Sequence, residues 1–190
     1  MTKTIELNQE FSWAHPATKV KVNNIYNSHQ YGSVLWNLFG KGSQSIESSY
    51  NRSVKVMLDL PWATHRSLIQ PLTGETHVKL VLLKRYLIFL EKMKNSGKSP
   101  LVMLLNEAKK DVRSVTGSNL RNIMILAGKS SIEDVTVEDV DTIPYFNLSE
   151  DEHWKVDSIK EIIDVKAGNL DVPGFDLEKL ETILNHLCTE

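Results

Sequence analysis

The sequence predicts an all-α protein, in which a basic multi-helix bundle is followed by a small acidic helical hairpin. Apolar residues recur at helical rather than alternating spacing, and the segments between them are rich in Gly, Pro, Ser and Asn. Charge also divides along the chain: residues 1–130 carry 18 Lys and Arg against 8 Asp and Glu, and residues 131–190 carry 4 against 16. Because an excess of positive charge attracts polyanions, nucleic acid is the first partner to consider.

The first elements predicted are short helices at residues 16–26 and around residues 33–39. A longer helix is predicted at residues 43–57, where an apolar stripe consists of Ile46, Tyr50, Val54 and Met57. Arg52 and Lys55 lie away from this stripe, so one face is expected to pack and the other to be basic. Another short helix is predicted after Pro61.

The longest predicted helix covers residues 77–96 and is apolar over more than half of its circumference. Its charged residues fall within an arc of about 120° at 100° per residue; they are Lys84, Arg85, Glu91 and Lys92. We therefore predict that this helix lies at the centre of the basic bundle.

Two further helices complete the predicted bundle. Residues 100–113 have Asn106, Glu107, Lys110 and Arg113 on one face, with Ser99 as the expected cap and Pro100 in the first turn. The opposite face is expected to pack, and its apolar residues are Leu101, Leu104, Leu105, Ala108 and Val112. Residues 118–127 follow as a helix that Gly128 is expected to stop.

The composition changes after this helix. Residues 129–147 are acidic and contain Pro144, which predicts a linker or hinge. Beyond it, Ser149 and Glu152 predict a capping box for a helix reaching Ala167. Residues 172–174 then form a turn before a helix at 177–188, capped by Asp176. The predicted division is a basic helical domain at 1–128, a linker or hinge at 129–147 and an acidic hairpin at 148–190; a hairpin this small is expected to dock on the bundle or on another polypeptide.

Several classes of protein are excluded by what the sequence lacks. No apolar run reaches the roughly 18–20 residues of a membrane span, and residues 1–11 contain no stretch of signal-peptide type, which favours the cytoplasm or nucleus. A single cysteine, Cys188, excludes an internal disulfide and a multi-cysteine zinc site. Common enzyme motifs and the closely spaced aspartates of a polymerase are missing, so we predict no catalytic residues, no cofactor and no metal site.

Residues 60–66, LPWATHR, combine a predicted helix start with three polar side chains in one turn. Arg66 could hold a phosphate there. Alternatively, His65 and Arg66 could satisfy neighbouring backbone carbonyls and carboxylates such as Asp59. The sequence leaves both interpretations open.

Residues 116–121, TGSNLR, offer backbone amides at another predicted helix start, flanked by Arg113 and Arg121. These amides could bind an anion, although capping alone is the favoured interpretation. Aromatic residues that could stack on bases are Trp13, Trp36, Tyr50, Trp62 and Tyr86, but Tyr50 and Tyr86 lie on apolar stripes and are expected to be core.

Several of these segments together resemble one family, and they occur in the same order as in that family. They are residues 8–16 (NQEFSWAHP), 24–29 (NIYNSH), 32–36 (GSVLW), 60–66 (LPWATHR) and 116–121 (TGSNLR). The chain is similar, over most of residues 5–128, to the region that follows the polymerase domain in reverse transcriptases of non-LTR (LINE-type) retrotransposons. Residues 154–187, with the VPGF turn at 172–175, resemble the family's C-terminal end more loosely.

The resemblance implies a helical thumb and connecting segment that packs along the template-primer duplex without catalysing the reaction. The family's palm, with its paired aspartates, would lie upstream, so starting at Met1 the chain would correspond to a C-terminal part of such an enzyme. Possible partners are then RNA or an RNA–DNA duplex and the palm and fingers portion of the same element. The arginines of residues 64–66 and 119–121 match the family pattern.

Our functional hypothesis is a non-catalytic module that binds duplex nucleic acid through phosphates, independent of base sequence. The residues expected to make these contacts lie off an apolar stripe or at a helix start; they are Arg52, Lys55, Arg66, Lys84, Arg85, Lys110, Arg113 and Arg121. Two alternatives stay open: a protein-interaction or structural module whose acidic hairpin covers the basic bundle, and a decayed element fragment without a selected function.

Overall fold

The computed structural model describes residues 6, 9–27, 32–143, 150–170 and 176–189. Within these residues the fold is all-helical and contains no strand, as the sequence predicts. The α-helices, numbered in chain order, are α1 (Pro16–Asn27), α2 (Lys41–Met57), α3 (Arg66–Thr73), α4 (Val78–Lys94), α5 (Ser99–Lys110), α6 (Val115–Leu126), α7 (Glu150–Lys166) and α8 (Leu177–Thr189). Short 3-10 turns are Ser33–Leu35, Ile132–Asp134 and Glu138–Thr142.

The chain divides into two compact units, each assembled from segments that are distant in sequence. Unit 1 consists of residues 1–29, 48–75 and 146–190, and unit 2 of residues 30–47 and 76–145. Helix α2 spans the point of division at residues 47 and 48. The consecutive division at residues 128 and 147 stays a prediction, because spatial contacts alone do not reveal which segments fold independently.

Unit 2 is built around α4, as expected for the longest apolar helix. Helix α4 packs against α5 and against the turns at 33–35 and 138–142, and α5 packs against α6. The core combines one face of α4 with apolar residues from the other elements; it includes Leu83, Tyr86, Leu105, Ile123, Val140 and Ile143. The acidic segment therefore contributes Val140 and Ile143 to this core, although its composition suggests a solvated linker.

Unit 1 packs α7 against both α3 and α8. The predicted stripe of α2 is buried at Tyr50, Val54 and Met57, and α7 buries Val156 and Ile159. An ion pair of 2.7 Å joins Lys166 of α7 to Asp59 after α2. The Ser149 cap and the turn at 172–174 lie outside the described residues.

Four local predictions were wrong. Residues 33–39 form only one 3-10 turn, and helix α6 begins at Val115 because the Ser114 hydroxyl caps it by accepting from the Gly117 amide. Ser99 is the first residue of α5 rather than its cap. Leu104 of α5, predicted to pack, is exposed because α5 is covered on one side only, and Val112, also predicted to pack, is exposed and lies beyond Lys110, where α5 ends.

Candidate nucleic-acid interface

The eight basic residues predicted to bind nucleic acid are distributed over both units. Arg52, Lys55 and Arg66 belong to unit 1; the five in unit 2 are Lys84, Arg85, Lys110, Arg113 and Arg121. The residues of the first group and Trp62 together are called the Trp62 surface.

The Trp62 surface begins with the chain reversal at the end of α2. Asp59 adopts the left-handed conformation with φ 51°. The Leu60 amide donates to the Lys55 carbonyl at 2.8 Å, and the Asp59 amide donates to the Val56 carbonyl at 3.4 Å. These bonds form a Schellman motif, in which asparagine or glycine is the more usual left-handed residue. The motif turns the chain so that Trp62 returns to the side of α2.

Two side chains of α2 hold this returning segment. The Arg52 guanidinium carbon lies 4.7 Å from the centroid of the Trp62 ring, and the Lys55 Nζ donates to the Trp62 carbonyl at 2.8 Å. Residues three apart on a helix are neighbours on its surface, which is why both reach the same segment. Because 60% of Trp62 remains exposed, one face of its ring is accessible beside the Arg52 guanidinium.

Hydrogen bonds within the 60–66 segment and to α8 also hold this segment in place. Thr64 is buried and its hydroxyl donates to the Pro61 carbonyl at 2.6 Å, while the His65 amide donates to the Cys188 carbonyl of α8 at 2.9 Å. Burial raises the pKa of the Cys188 thiol, so the thiol stays protonated at neutral pH. Burial also lowers the pKa of Lys55. Lys55 thus contributes to the conformation of the loop through its bond to the Trp62 carbonyl.

Arg66 is exposed and is the first residue of α3. No ion pair of Arg66 is found within the described part of the chain, and the first turn of α3 contains no acidic residue. The positive end of the helix dipole and the guanidinium therefore add at this position. Asp59, the carboxylate that the alternative interpretation assigned to His65 or Arg66, pairs with Lys166 instead.

In unit 2 the acidic segment neutralises part of the predicted basic face. Lys84 pairs with Asp141, and the two residues outside our predicted set, Lys109 and Lys129, pair with Glu133 at 3.3 Å and Asp139 at 2.9 Å. Lys110 pairs with Glu107 one turn earlier at 3.0 Å. Each of these pairs reduces the positive potential that a polyanion meets.

Two residues of the 116–121 segment make hydrogen bonds within the protein. The Gly117 amide is occupied by Ser114 at 2.8 Å. Asn119 is fully buried: its Oδ1 accepts from the Leu38 amide at 3.0 Å and its Nδ2 donates to the Trp36 carbonyl at 2.8 Å. The favoured capping interpretation is consistent with these bonds. Arg113 remains exposed beside the helix start, and Arg121 lies partly buried on the next turn.

The described residues of unit 2 line at least two cavities. One of about 290 Å³ has an apolar floor that includes Leu87, Leu105 and Leu120. The other is a groove of about 670 Å³, and Arg121 is among the residues that line it. Sequence reasoning missed this groove because Ser130 and Ser131 reach it only after Gly128, whose φ of 64° ends α6 and turns the chain back.

Among the described residues, no three His, Cys, Asp or Glu side chains are placed to hold a metal ion together. The helices in that same part of the chain are all too short or too polar to cross a membrane. Comparison of the chain with protein-family models, with curated proteins and with solved structures finds no match.

Proposed function

We propose that this chain is a non-catalytic helical module that binds RNA or an RNA–DNA duplex through phosphate contacts, as the C-terminal part of a retroelement reverse transcriptase. The observation that carries the proposal is the Trp62 surface, where the 60–66 segment presents the exposed Trp62 and Arg66 and the Arg52 guanidinium of α2 lies against the Trp62 ring. The same segment, residues 60–66, is among those that resemble the LINE-type family. Intracellular location belongs to this proposal.

The chemistry of the Trp62 surface suits a nucleic-acid strand. A guanidinium binds phosphate oxygens with two parallel hydrogen bonds, and an accessible indole face can stack on any base at a strand end. Arg66 adds a charge that lacks a carboxylate partner in the described ion pairs, at the positive end of a helix. Neither contact reads base edges, so binding is expected to be independent of sequence.

The test is a titration of the whole chain with a short RNA–DNA duplex while salt increases from about 50 to about 300 mM. Binding through phosphates releases counterions, so affinity must fall steeply as salt rises. The variant Arg66→Gln should lower the slope of log K against log salt by about 1 and weaken binding to all sequences alike. Lys179→Gln, in the same unit and 80% exposed at its side chain, is the matched control.

Trp62→Ala separates stacking from charge. It should weaken binding to duplexes with a single-stranded end by roughly 1–3 kcal/mol without changing the salt slope. Absence of binding, or binding that does not respond to salt, overturns the proposed function. A loss of slope in Lys179→Gln equal to that in Arg66→Gln removes the Trp62 surface from the proposal.

A second function, a protein-interaction or structural module, is favoured by a different observation. The acidic residues 133–141 already pair with three lysines of unit 2, as an internal mask would. Because Val140 and Ile143 belong to the core, truncation near residue 130 would disrupt the fold; charge variants are the better test. If Glu133→Gln and Asp141→Asn do not strengthen duplex binding, internal masking is wrong.

A further inference from the structure

The groove of about 670 Å³ in unit 2 lies between α5, α6 and the segment after Gly128. Its polar lining is mainly cationic and hydroxylic, with one carboxylate; it consists of Asn106, Lys109, Lys110, Arg121, Ser130, Ser131 and Glu133. Its volume falls within the usual range of small-molecule sites. Of these residues, the sequence analysis predicted only Lys110 and Arg121 to bind nucleic acid. In the structure they line the groove together with Lys109, which precedes Lys110 in the sequence.

Arg121 brings a buried polar atom without a hydrogen-bond partner to this groove. Its Nε is enclosed and has no hydrogen-bond partner among the described residues, while the residue as a whole keeps partial exposure to solvent. A guanidinium cannot lose its proton to escape this cost. A partly desolvated charge gains more from an anionic partner than an exposed one does, because water screens the interaction less.

One anion already lies in the groove. The Glu133 carboxylate is 3.3 Å from Lys109 Nζ, although the side chain of Glu133 is 66% exposed. An exposed carboxylate of this kind is weakly held and can be displaced. A phosphate monoester carries more charge and more acceptor oxygens than a carboxylate, so it is the stronger ligand for two lysines, an arginine and two hydroxyls.

The remaining lining is apolar. Met124 and Ile125 of α6 and Ile132 of the returning segment border the same groove, and Ile125 is 69% exposed. A nucleotide matches this combination, because its phosphate is a strong acceptor and its sugar and base present less polar surface. Inorganic phosphate would use only the cationic part.

We propose that the groove is a subsite for the phosphate group of a nucleotide, with Arg121, Lys109 and Lys110 as its ligands and Glu133 as an internal competitor. The assignment rests on the proposed function, since both attribute the binding of nucleotide phosphate to this chain. The phosphate can come from a mononucleotide or from a strand, and the experiment has an arm for each source.

The test uses ¹⁵N-labelled whole chain and follows amide shifts during titration with inorganic phosphate, with a nucleoside 5′-monophosphate and with the RNA–DNA duplex. Shifts are expected at Ser130, Ser131 and Arg121, with the mononucleotide binding more tightly than phosphate. Arg121→Gln should lower the affinity for phosphate by about tenfold, since hydrogen bonds to charged groups are the stronger ones. Lys110→Gln, at an exposed position, provides a second test if Arg121→Gln does not fold.

Two controls separate the possible causes. Arg113→Gln removes an exposed arginine that does not line the groove and should leave the phosphate affinity unchanged. Glu133→Gln removes the competing carboxylate and should raise the affinity by about two- to fivefold. An affinity that is equal in wild type, Arg121→Gln and Lys110→Gln overturns the subsite, as does the absence of shifts at Ser130 and Ser131.

The two proposals fail in different ways. If phosphate and mononucleotide shift the groove residues but no duplex binds at any salt concentration, the subsite stands for free nucleotides and the proposed function is wrong. If the duplex binds with a steep salt dependence that Arg121→Gln and Lys110→Gln leave unchanged, the proposed function stands and the subsite is wrong.

Discussion

Units 1 and 2 hold their cationic side chains in different ways. Unit 1 carries 10 Lys and Arg against 15 Asp and Glu, yet Arg52 is over an indole ring and Lys55 bonds to a carbonyl. Unit 2 carries 12 against 9, yet three of its lysines pair with the acidic segment at 133–141. The unit with the negative net charge therefore contains the exposed Arg66, and the unit with the positive net charge is the one partly neutralised.

Net charge therefore does not predict an available cationic surface. What matters is whether a carboxylate lies within reach of each cation, and this depends on how distant segments pack. Screening confines the effect of an exposed charge to about 8–10 Å, so local pairing outweighs the total. The following variants test this comparison.

The largest effect is expected from Gly117→Ala in unit 2. A Cβ at this position would lie 2.2 Å from the Asp111 carbonyl oxygen and 3.0 Å from that of Ala108, so the backbone between α5 and α6 must shift. We expect a loss of about 2–3 kcal/mol in the free energy of unfolding, measured by urea denaturation.

Gly42→Ala is its matched control. Gly42 lies within α2, and a Cβ there would meet no atom within 4 Å. Alanine should raise the free energy of unfolding by about 0.5–1 kcal/mol, because it favours the helix. If both glycine variants destabilise the chain equally, close packing at Gly117 is not the cause.

The next effect concerns what attaches the acidic segment to unit 2. Val140 is fully buried, so Val140→Ala should cost about 2 kcal/mol. Asp141→Asn at the adjacent position removes only the exposed partner of Lys84 and should cost under about 0.5 kcal/mol. Urea denaturation of both variants shows whether apolar burial or ion pairing attaches the segment to unit 2. A larger loss of stability in Asp141→Asn than in Val140→Ala would contradict this prediction.

A smaller effect is expected from the paired lysines themselves. Lys166 of unit 1 and Lys109 of unit 2 are 19% and 15% exposed at their side chains, and both pair with exposed carboxylates. Lys166→Met and Lys109→Met should each change the free energy of unfolding by less than about 1 kcal/mol, and high salt should reduce the difference from wild type. Lys109→Met should also lower the affinity of the groove for phosphate, whereas Lys166→Met should not.

The smallest effect is the acid dependence of Asp139. The Thr136 amide and the Lys129 ammonium hold the pKa of this carboxyl below its ordinary value of 3.8. A lowered pKa in the folded state stabilises the fold above that ordinary value, and the contribution is lost as pH falls through the lower, folded pKa. The Thr136 amide resonance should therefore titrate with a midpoint below pH 3.8. In Asp139→Asn this titration should vanish; a persisting shift would assign it to another carboxyl.

Much of the fold could be predicted from local pattern. The stripe of Tyr50, Val54 and Met57 is buried, and α4 is central to its unit, because helical spacing places those residues on one face whatever lies opposite. The prediction of α5 was wrong at Leu104, because periodicity shows which residues share a face and not whether a partner covers it.

The site could be predicted only in part. Arg66 and Arg113 are exposed as expected, since each lies at or next to a helix start. Lys84 was expected to meet phosphate and instead meets Asp141, which is 57 residues away along the chain and was assigned to a linker. Nothing local in the sequence marks that pairing.

Local sequence is enough to predict that the chain is helical, where its longest helices lie and that residues 60–66 combine aromatic and cationic side chains, because these features depend on neighbours within a few residues. Three-dimensional packing sets which lysines meet carboxylates, places Asn119 between Trp36 and Leu38, and brings Arg121 into a groove with Lys109 and Ser130. Those contacts arise when distant segments pack to bury apolar surface, and the spacing of residues along one helix does not encode them.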